Sequence, residues 1–201
     1  MENNENKWSV RDVISAVLLS AVLIFIQVVV TMVTMVNHFV SMVLSVGIIT
    51  LLCGPVYCLL VNRVRKRGAS LVYMTILGLI YLLMGNWYLL IYFALVGVIC
   101  EAILWKKDSF QSRGRVTTAW TVASLLYNGI NLLPIWFFWD TYYHFAVSSG
   151  MEQAYIESYR NYYTSPKWLI FILLFSTLCG FIGSRIGSGL ISKHFKKAGV
   201  L

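Results

Sequence analysis

The sequence predicts an all-α membrane protein, a single domain over residues 1–201 built as a bundle of six transmembrane helices. Its residues are 59% hydrophobic and only 12% charged, whereas a soluble domain carries about 25% charged residues. Apolar runs long enough to cross a bilayer recur along the chain. The cations gather in alternate connections, as lysine and arginine do in the cytoplasmic loops of membrane proteins.

Residues 10–36 form the first helix, charged only at its mouth by Arg11 and Asp12. The leading MENNENK is acidic and amidic, and the apolar run behind it is too long for a signal core and has no small-residue cleavage site. Helix one is therefore read as retained. Residues 41–61 form helix two, with Gly54 and Pro55 near its inner part, where proline removes a backbone donor and kinks the helix. Residues 71–84 and 86–104 form helices three and four, joined in a tight hairpin by the turn formers Gly85 and Asn86. Residues 116–139 form helix five, loosened near its outer end by Pro134, and residues 167–190 form helix six. Residues 140–166 remain as a long loop; loops of that length in compact domains are usually functional or disordered.

Lys7 and Arg11 precede helix one. Arg63, Arg65, Lys66 and Arg67 separate helices two and three, and Lys106, Lys107, Arg113 and Arg115 separate four and five. Arg185, Lys193, Lys196 and Lys197 close the chain, which places fourteen of the sixteen cations on one side, with Arg160 and Lys167 on the other. The positive-inside rule makes the first side cytoplasmic. The topology is N-in and C-in, in a bacterial cytoplasmic membrane, with residues 140–166 outside. The net charge of +8 then follows from topology and needs no nucleic acid. Cys53, Cys58, Cys100 and Cys179 lie in apolar runs without CxxC spacing or a nearby histidine pair, which reads as buried thiols rather than a metal site.

The segment WFFWDTYYHF, residues 136–145, has seven aromatic residues in ten. The outer connections pool His38, Asn86, Trp87, Tyr88, Trp136, Trp139, Asp140, Tyr142, Tyr143 and His144, with Tyr155, Tyr159, Tyr162 and Tyr163 further along the loop. Rings beside a few hydrogen-bonding groups suit a flat organic molecule. An interfacial aromatic belt is the other reading of the same rings. The inner loops hold only Trp8 and Trp105, and that asymmetry favours a pocket.

Asp140 and His144, spaced i, i+4, share a helical face if the loop begins with a helical turn. They are either a solvated pair or cap, or a polar grip on a ligand. If His38 and His144 faced one another, an iron porphyrin held by imidazole would be a cargo candidate; the sequence does not show that approach. No cofactor or metal of the protein's own is expected. Glu101 is the one carboxylate inside a span. An intramembrane acid is a functional candidate, but this one lies five residues before Lys106 and is read as structural, snorkelling or pairing with it.

Two faces could pack closely in lipid. Ala16 and Ser20 form a small-xxx-small pair on helix one, and Gly180, Gly183, Gly187 and Gly189 smooth the end of helix six. Internal packing accounts for the glycine face unless a partner uses it.

The stretches WSVRDVISAVLLSAV, GPVYCLLVNRVRKRGA and ILGLIYLLMGNWYLLIYFALVGVICEAI, with the glycine-rich end of helix six, cover nearly the whole chain. In them the chain resembles substrate-binding S components of energy-coupling factor (ECF) importers, specifically the MptD-like putative S components of the Trep_Strep family. The resemblance implies a six-helix subunit that captures a micronutrient, a vitamin-like compound or haem, outside the cell. Delivery would pass through a T component driven by two cytoplasmic ATPases. Residues 140–166 and the turn between helices one and two would act as a lid, and the bundle would topple to present the cargo inward. His38, Asn86, Trp87, Tyr88, Trp136, Trp139, Asp140, Tyr143 and His144 would hold the cargo. Docking on the T component would use an AxxxA face, in which Ala16 matches the first position and Ser20 replaces the second. No GxxxxGK[ST] pattern occurs, so the chain lacks a P-loop for ATP and is expected not to be an enzyme. The alternatives are a membrane-embedded enzyme using Glu101 or the Asp140 and His144 pair, and an accessory scaffold.

Overall fold

A computed structural model describes residues 7–106 and 108–195; Lys107, Lys196 and Lys197, counted above among the basic loops, lie outside the described residues. Among the described residues the regular structure is entirely helical. The helices are α1 (Val10–Thr34), α2 (Ser45–Val64, entered through a π-helical turn at Val40–Leu44), α3 (Ala69–Leu83) and α4 (Trp87–Ile103). They continue with α5 (Arg113–Leu126), α6 (Gly129–Phe137), α7 (Trp139–Ser148), α8 (Gln153–Thr164) and α9 (Pro166–Leu190, followed by a π-helical turn at Ile191–Phe195).

The chain enters α1 through a reciprocal cap. The Ser9 hydroxyl accepts from the Asp12 amide at 3.2 Å, and the Asp12 carboxylate accepts from the Ser9 amide at 3.0 Å, which satisfies two donors that a helix start leaves bare. Ala16, Ser20, Leu23, Gln27, Val30 and Thr34 are its buried residues, a three-and-four spacing that makes one inward stripe. Val17, Phe25, Val28 and Met32 are exposed. A helix with one buried stripe and an apolar exterior sits at the rim of a bundle in lipid.

α2 runs through the centre and packs along α9 at backbone range. A Cβ added to Gly54 would lie 2.5 Å from the Gly183 carbonyl carbon, one on Gly183 would lie 2.3 Å from the Leu51 oxygen, and one on Gly187 would lie 2.5 Å from Pro55 Cα. No side chain fits in this seam. Three of the helix-six glycines are thus taken up by internal packing, Gly180 likewise against Ser124.

α3 and α4 form the expected hairpin, turned at Gly85, whose φ of +89° is a left-handed conformation that glycine adopts without a Cβ penalty. At the other end of the hairpin the Glu101 carboxylate accepts from the Gly68 and Ser70 amides, each at 2.8 Å. It caps the start of α3 from the end of α4.

The fifth helix departs from expectation. Residues 116–139 are not one element: α5 stops at Leu126, α6 starts at Gly129, and the chain bends by 102° between α6 and α7. Side chains satisfy the backbone freed at the first break. Asn128 donates to the Leu125 carbonyl at 2.9 Å and to the Ser176 hydroxyl at 2.7 Å, and Tyr92 donates to the Leu126 carbonyl at 2.6 Å. Residues 140–166 are not a loop either; they fold as α7 and α8. Ile156, Tyr159 and Tyr163 recur three and four apart and are the buried face of α8, so the tyrosines serve as the apolar stripe of an amphipathic helix.

Among the described residues three helices are long and apolar enough to cross a membrane, Val10–Thr34, Val40–Val64 and Pro166–Lys193, and four if the bent pair Arg113–Phe137 with Trp139–Ser148 is one span. α3 and α4, at 15 and 17 residues, extend ~22–26 Å at 1.5 Å per residue, less than the ~30 Å of bilayer hydrocarbon. Six spans of equal reach are therefore not what the chain builds.

Side-chain contacts distinguish the two ends of the bundle. Trp8 Nε1 donates to the Arg67 carbonyl at 3.0 Å, and the Arg67 guanidinium lies 4.5 Å from the Trp105 ring centroid. The start of α1, the α2–α3 turn and the end of α4 thus share the basic end. The π turn before α2, the start of α4, and α6 to α8 meet at the opposite, aromatic end.

Candidate functional site

α8 lies against the aromatic end and is tied there by its own hydroxyls. Tyr163 donates to the Met42 carbonyl at 2.8 Å and accepts from Asn131 Nδ2 at 2.7 Å. Tyr159 donates to the Asn131 carbonyl at 2.6 Å, and the Tyr155 and Ser41 hydroxyls are 3.0 Å apart. Met42 lies within the π-helical turn that leads into α2. His38 packs edge-on to the Tyr155 ring at 5.3 Å, with its Nδ1 3.5 Å from the Ser158 hydroxyl.

The rings form a continuous layer. Tyr142 stacks on Tyr159 at 4.8 Å, Trp139 lies 5.9 Å from Tyr142, and the Arg160 guanidinium sits 5.8 Å from the Trp139 centroid. Met42, Val43, Tyr159, Tyr163 and Ile172 form its buried floor. At the bend, Phe138 stacks on Tyr88 at 4.1 Å with the rings 5° from parallel, and Trp87 meets Phe138 edge-on at 5.6 Å. Tyr88 donates to the Asn86 side-chain oxygen at 2.9 Å, and both residues are buried. Burial pushes the Tyr159 and Tyr163 phenols well above their ordinary pKa, so both stay protonated donors at any physiological pH.

Of the expected cargo residues, Asn86, Trp87 and Tyr88 thus meet the bend from α4, Trp139 belongs to the layer, and His38 reaches it through Tyr155. Asp140, Tyr143 and His144 sit on the exposed face of α7. The expected helical turn aligns Asp140 with His144, but no hydrogen bond joins them, and His144 has Tyr143 as its ring neighbour at 6.4 Å. Trp136 is 58% exposed and has no ring contact with the layer. Neither a hydrogen bond nor a ring contact joins His38 to His144, and the described residues hold no group of three potential metal ligands. The four cysteines are buried and free.

Ala16 and Ser20 are both 0% exposed. They pack inside the chain, so the small pair expected to receive a partner is already covered.

Sequence reasoning missed the residues that hold α8 down: Ser41, Asn131 and Ser158. It also missed a polar chain in the bundle interior. Gln27 donates to the Tyr73 hydroxyl at 2.5 Å and accepts from Tyr127 at 2.6 Å, which links α1, α3 and the end of α5. Tyr57 stacks on Trp120 at 4.5 Å beside it, and the Trp120 indole donates to the Thr50 carbonyl at 2.9 Å. A lone amide within the apolar first run was the available signal, because such a group in lipid needs partners on other helices.

A family profile described as a hypothetical bacterial integral membrane protein, Trep_Strep, matches residues 10–197. The chain belongs to the Trep_Strep family. The match runs from the first residue of α1 through the described end of the chain. Neither the curated proteins nor the solved structures yield a match.

Proposed function

We propose that this Trep_Strep protein is the substrate-binding S component of an ECF-type importer, with both termini in the cytoplasm and the ring layer outside. The observation that carries the reading is the pairing of a ring-dense layer at one end with the cations at the other. Orientation by the positive-inside rule turns the rings outward, where they can take a solute. In this reading α1, α2, α3, α4, the broken α5–α6 and α9 make six crossings. The short α3–α4 hairpin is accommodated by local thinning of the bilayer.

Cargo is a flat micronutrient, vitamin-like or haem. It enters when α8 and the turn carrying His38 lift, and it displaces ring-on-ring stacking with its own faces. Stacked aromatic pairs are worth ~0.5–1.5 kcal/mol each beyond area, so a planar cargo recovers what it disrupts. Trp87, Tyr88, Trp139 and Tyr143 supply rings; Asn86, Asp140, His38 and His144 supply polar contacts, with Trp136 at the margin. The Arg63 to Arg67 end faces the cytoplasm, and transport energy comes from the T component and its two ATPases. Because Ala16 and Ser20 are covered, docking in this reading uses the exposed side of α1, around Val17, Phe25 and Val28.

An enzyme built on Glu101 is disfavoured, since both of its oxygens are occupied as a helix cap. The test is purification from expressing cells, followed by absorbance and mass spectrometry of what co-purifies. A planar compound released from wild type and lost from Trp139→Ala or His144→Ala protein is the expected result. A Soret band that vanishes in His38→Ala or His144→Ala protein selects haem. Impermeant thiol labelling of intact cells should reach a cysteine placed at Ser149 and not one at Gln111. The reverse pattern would overturn the reading.

A further inference from the structure

We infer that the basic end carries a seat for one phosphate group of an anionic phospholipid, in the cavity between the end of α2, the start of α5 and the end of α9. This inference uses the charge and shape of that end alone and does not depend on the cargo reading.

The cavity is lined by Asn62, Gln111, Arg113, Ser188, Ile191 and Ser192 and has a volume of about 20 Å³, room for about one phosphoryl oxygen while the rest of the headgroup stays outside. Five of the six lining residues carry hydrogen-bonding side chains. Asn62 and Ser188 form the floor at 8% and 7% exposure, so their polar atoms were brought to this depth by folding and are not incidental surface groups. Asn62 uses one amide hydrogen on the Cys58 carbonyl at 3.0 Å, which fixes its side chain and leaves its second N–H available.

Three donor sources converge here. Arg113 supplies a permanent cation able to grip phosphate through two N–H bonds. Gln111 supplies neutral donors, whereas the Ser188 hydroxyl lies 3.8 Å from Cys58 Sγ and the Ser192 hydroxyl donates to the Gly189 carbonyl at 2.9 Å. α5 contributes its first turn, which has no side-chain cap at Ser112 and no acidic residue; the bare amides and the dipole there favour an anion.

Asp12 is held in the α1 cap and Glu101 at the start of α3, and Asp108, on the turn before α5, is the one carboxylate of the described residues near the cavity in sequence. Lys193, exposed one residue beyond Ser192, adds a cation to this end of the bundle. For a chain with apolar helices of membrane length, the phosphate held at this level in abundance is that of the lipid, and basic pockets between helices at the cytoplasmic side bind such headgroups.

The test is native mass spectrometry of the full chain in neutral detergent, titrated with phosphatidylglycerol, phosphatidylcholine or inorganic phosphate. Wild type should retain one phosphatidylglycerol per chain, with at least tenfold preference over phosphatidylcholine. Inorganic phosphate should fail to displace it. Arg113→Gln should weaken retention about tenfold, the loss of one charge-assisted contact, and Arg113→Lys should restore part of it. Ser192→Leu, which fills the mouth, should do the same as Arg113→Gln without changing charge. Lys7→Gln, at the same end but outside the cavity, should leave retention unchanged. Equal loss in Lys7→Gln and Arg113→Gln would reduce the effect to general surface charge and overturn the seat. Displacement by millimolar phosphate would overturn the lipid assignment.

Discussion

Tyr163 reaches across from α8 to donate to the carbonyl of Met42 in the π-helical turn before α2, 2.8 Å away, while accepting from Asn131. One hydroxyl thus joins three segments far apart in sequence. Tyr163→Phe removes it and leaves a buried carbonyl and amide unpaired. The cost is about 1–3 kcal/mol, enough to raise the frequency with which α8 opens at least fivefold. Hydrogen exchange measured on peptides within 153–164 should accelerate accordingly. Unchanged protection there would show that α8 is held by its apolar face alone.

Alkaline pH should act on the same place. Tyr159 and Tyr163 have phenol pKa values raised well above 10 by burial, so their contribution to stability is complete below about pH 10, the unfolded value. It declines as pH rises beyond that, because the unfolded chain loses those protons first. Phenolate absorbance titrated to about pH 11 should show the same number of ionised tyrosines in wild type and in Tyr163→Phe. A smaller signal in the variant would mean that Tyr163 titrates as an exposed phenol.

Glu101→Gln should destabilise without abolishing cargo capture. The amide can offer one oxygen where two backbone N–H groups need acceptors, and it removes a negative charge from a helix start. The two effects together cost ~1–3 kcal/mol. Thermal unfolding in detergent should fall by several degrees while ligand retention is kept. Loss of retention at unchanged stability would restore a direct role for this acid.

The glycine seam gives a paired test. Gly183→Ala puts a methyl 2.3 Å from the Leu51 carbonyl oxygen, a backbone atom that cannot swing aside, whereas Gly189 has open space around its Cβ position. Gly183→Ala should cost ~1–3 kcal/mol as overpacking, and Gly189→Ala should be neutral or slightly stabilising from helix propensity. Equal melting temperatures for the two variants would contradict the α2–α9 contact.

Much of this architecture was legible in the sequence. Length and polarity placed α1, α2, α9 and the α3–α4 hairpin, because each is bounded by cations or a glycine turn. The broken fifth helix was not legible. Its apolar pattern continues through Tyr127 and Asn128, and the interruption depends on partners supplied by Tyr92 and Ser176 from other helices. Residues 140–166 were misread because tyrosines and polar residues alternate there at low overall hydropathy. The apolar stripe shows only when Ile156, Tyr159 and Tyr163 are counted as one face. Of the rings pooled from the outer connections, Trp87, Tyr88, Trp139, Tyr142 and Tyr159 lie in ring contacts at one end, but composition could not tell them from the exposed Trp136 at the end of α6 or from Asp140, Tyr143 and His144, whose exposure depends on how α7 turns after the bend at Phe138.

The contact of α2 with α9 bears on how the molecule can move. Main chain lies against main chain over about one turn of each helix, Leu51 to Pro55 on α2 and Gly183 to Gly187 on α9, so one helix cannot ratchet past the other without driving Cα atoms into carbonyls. The pair behaves as a keel. Local opening is then left to the lighter elements hung on its rim.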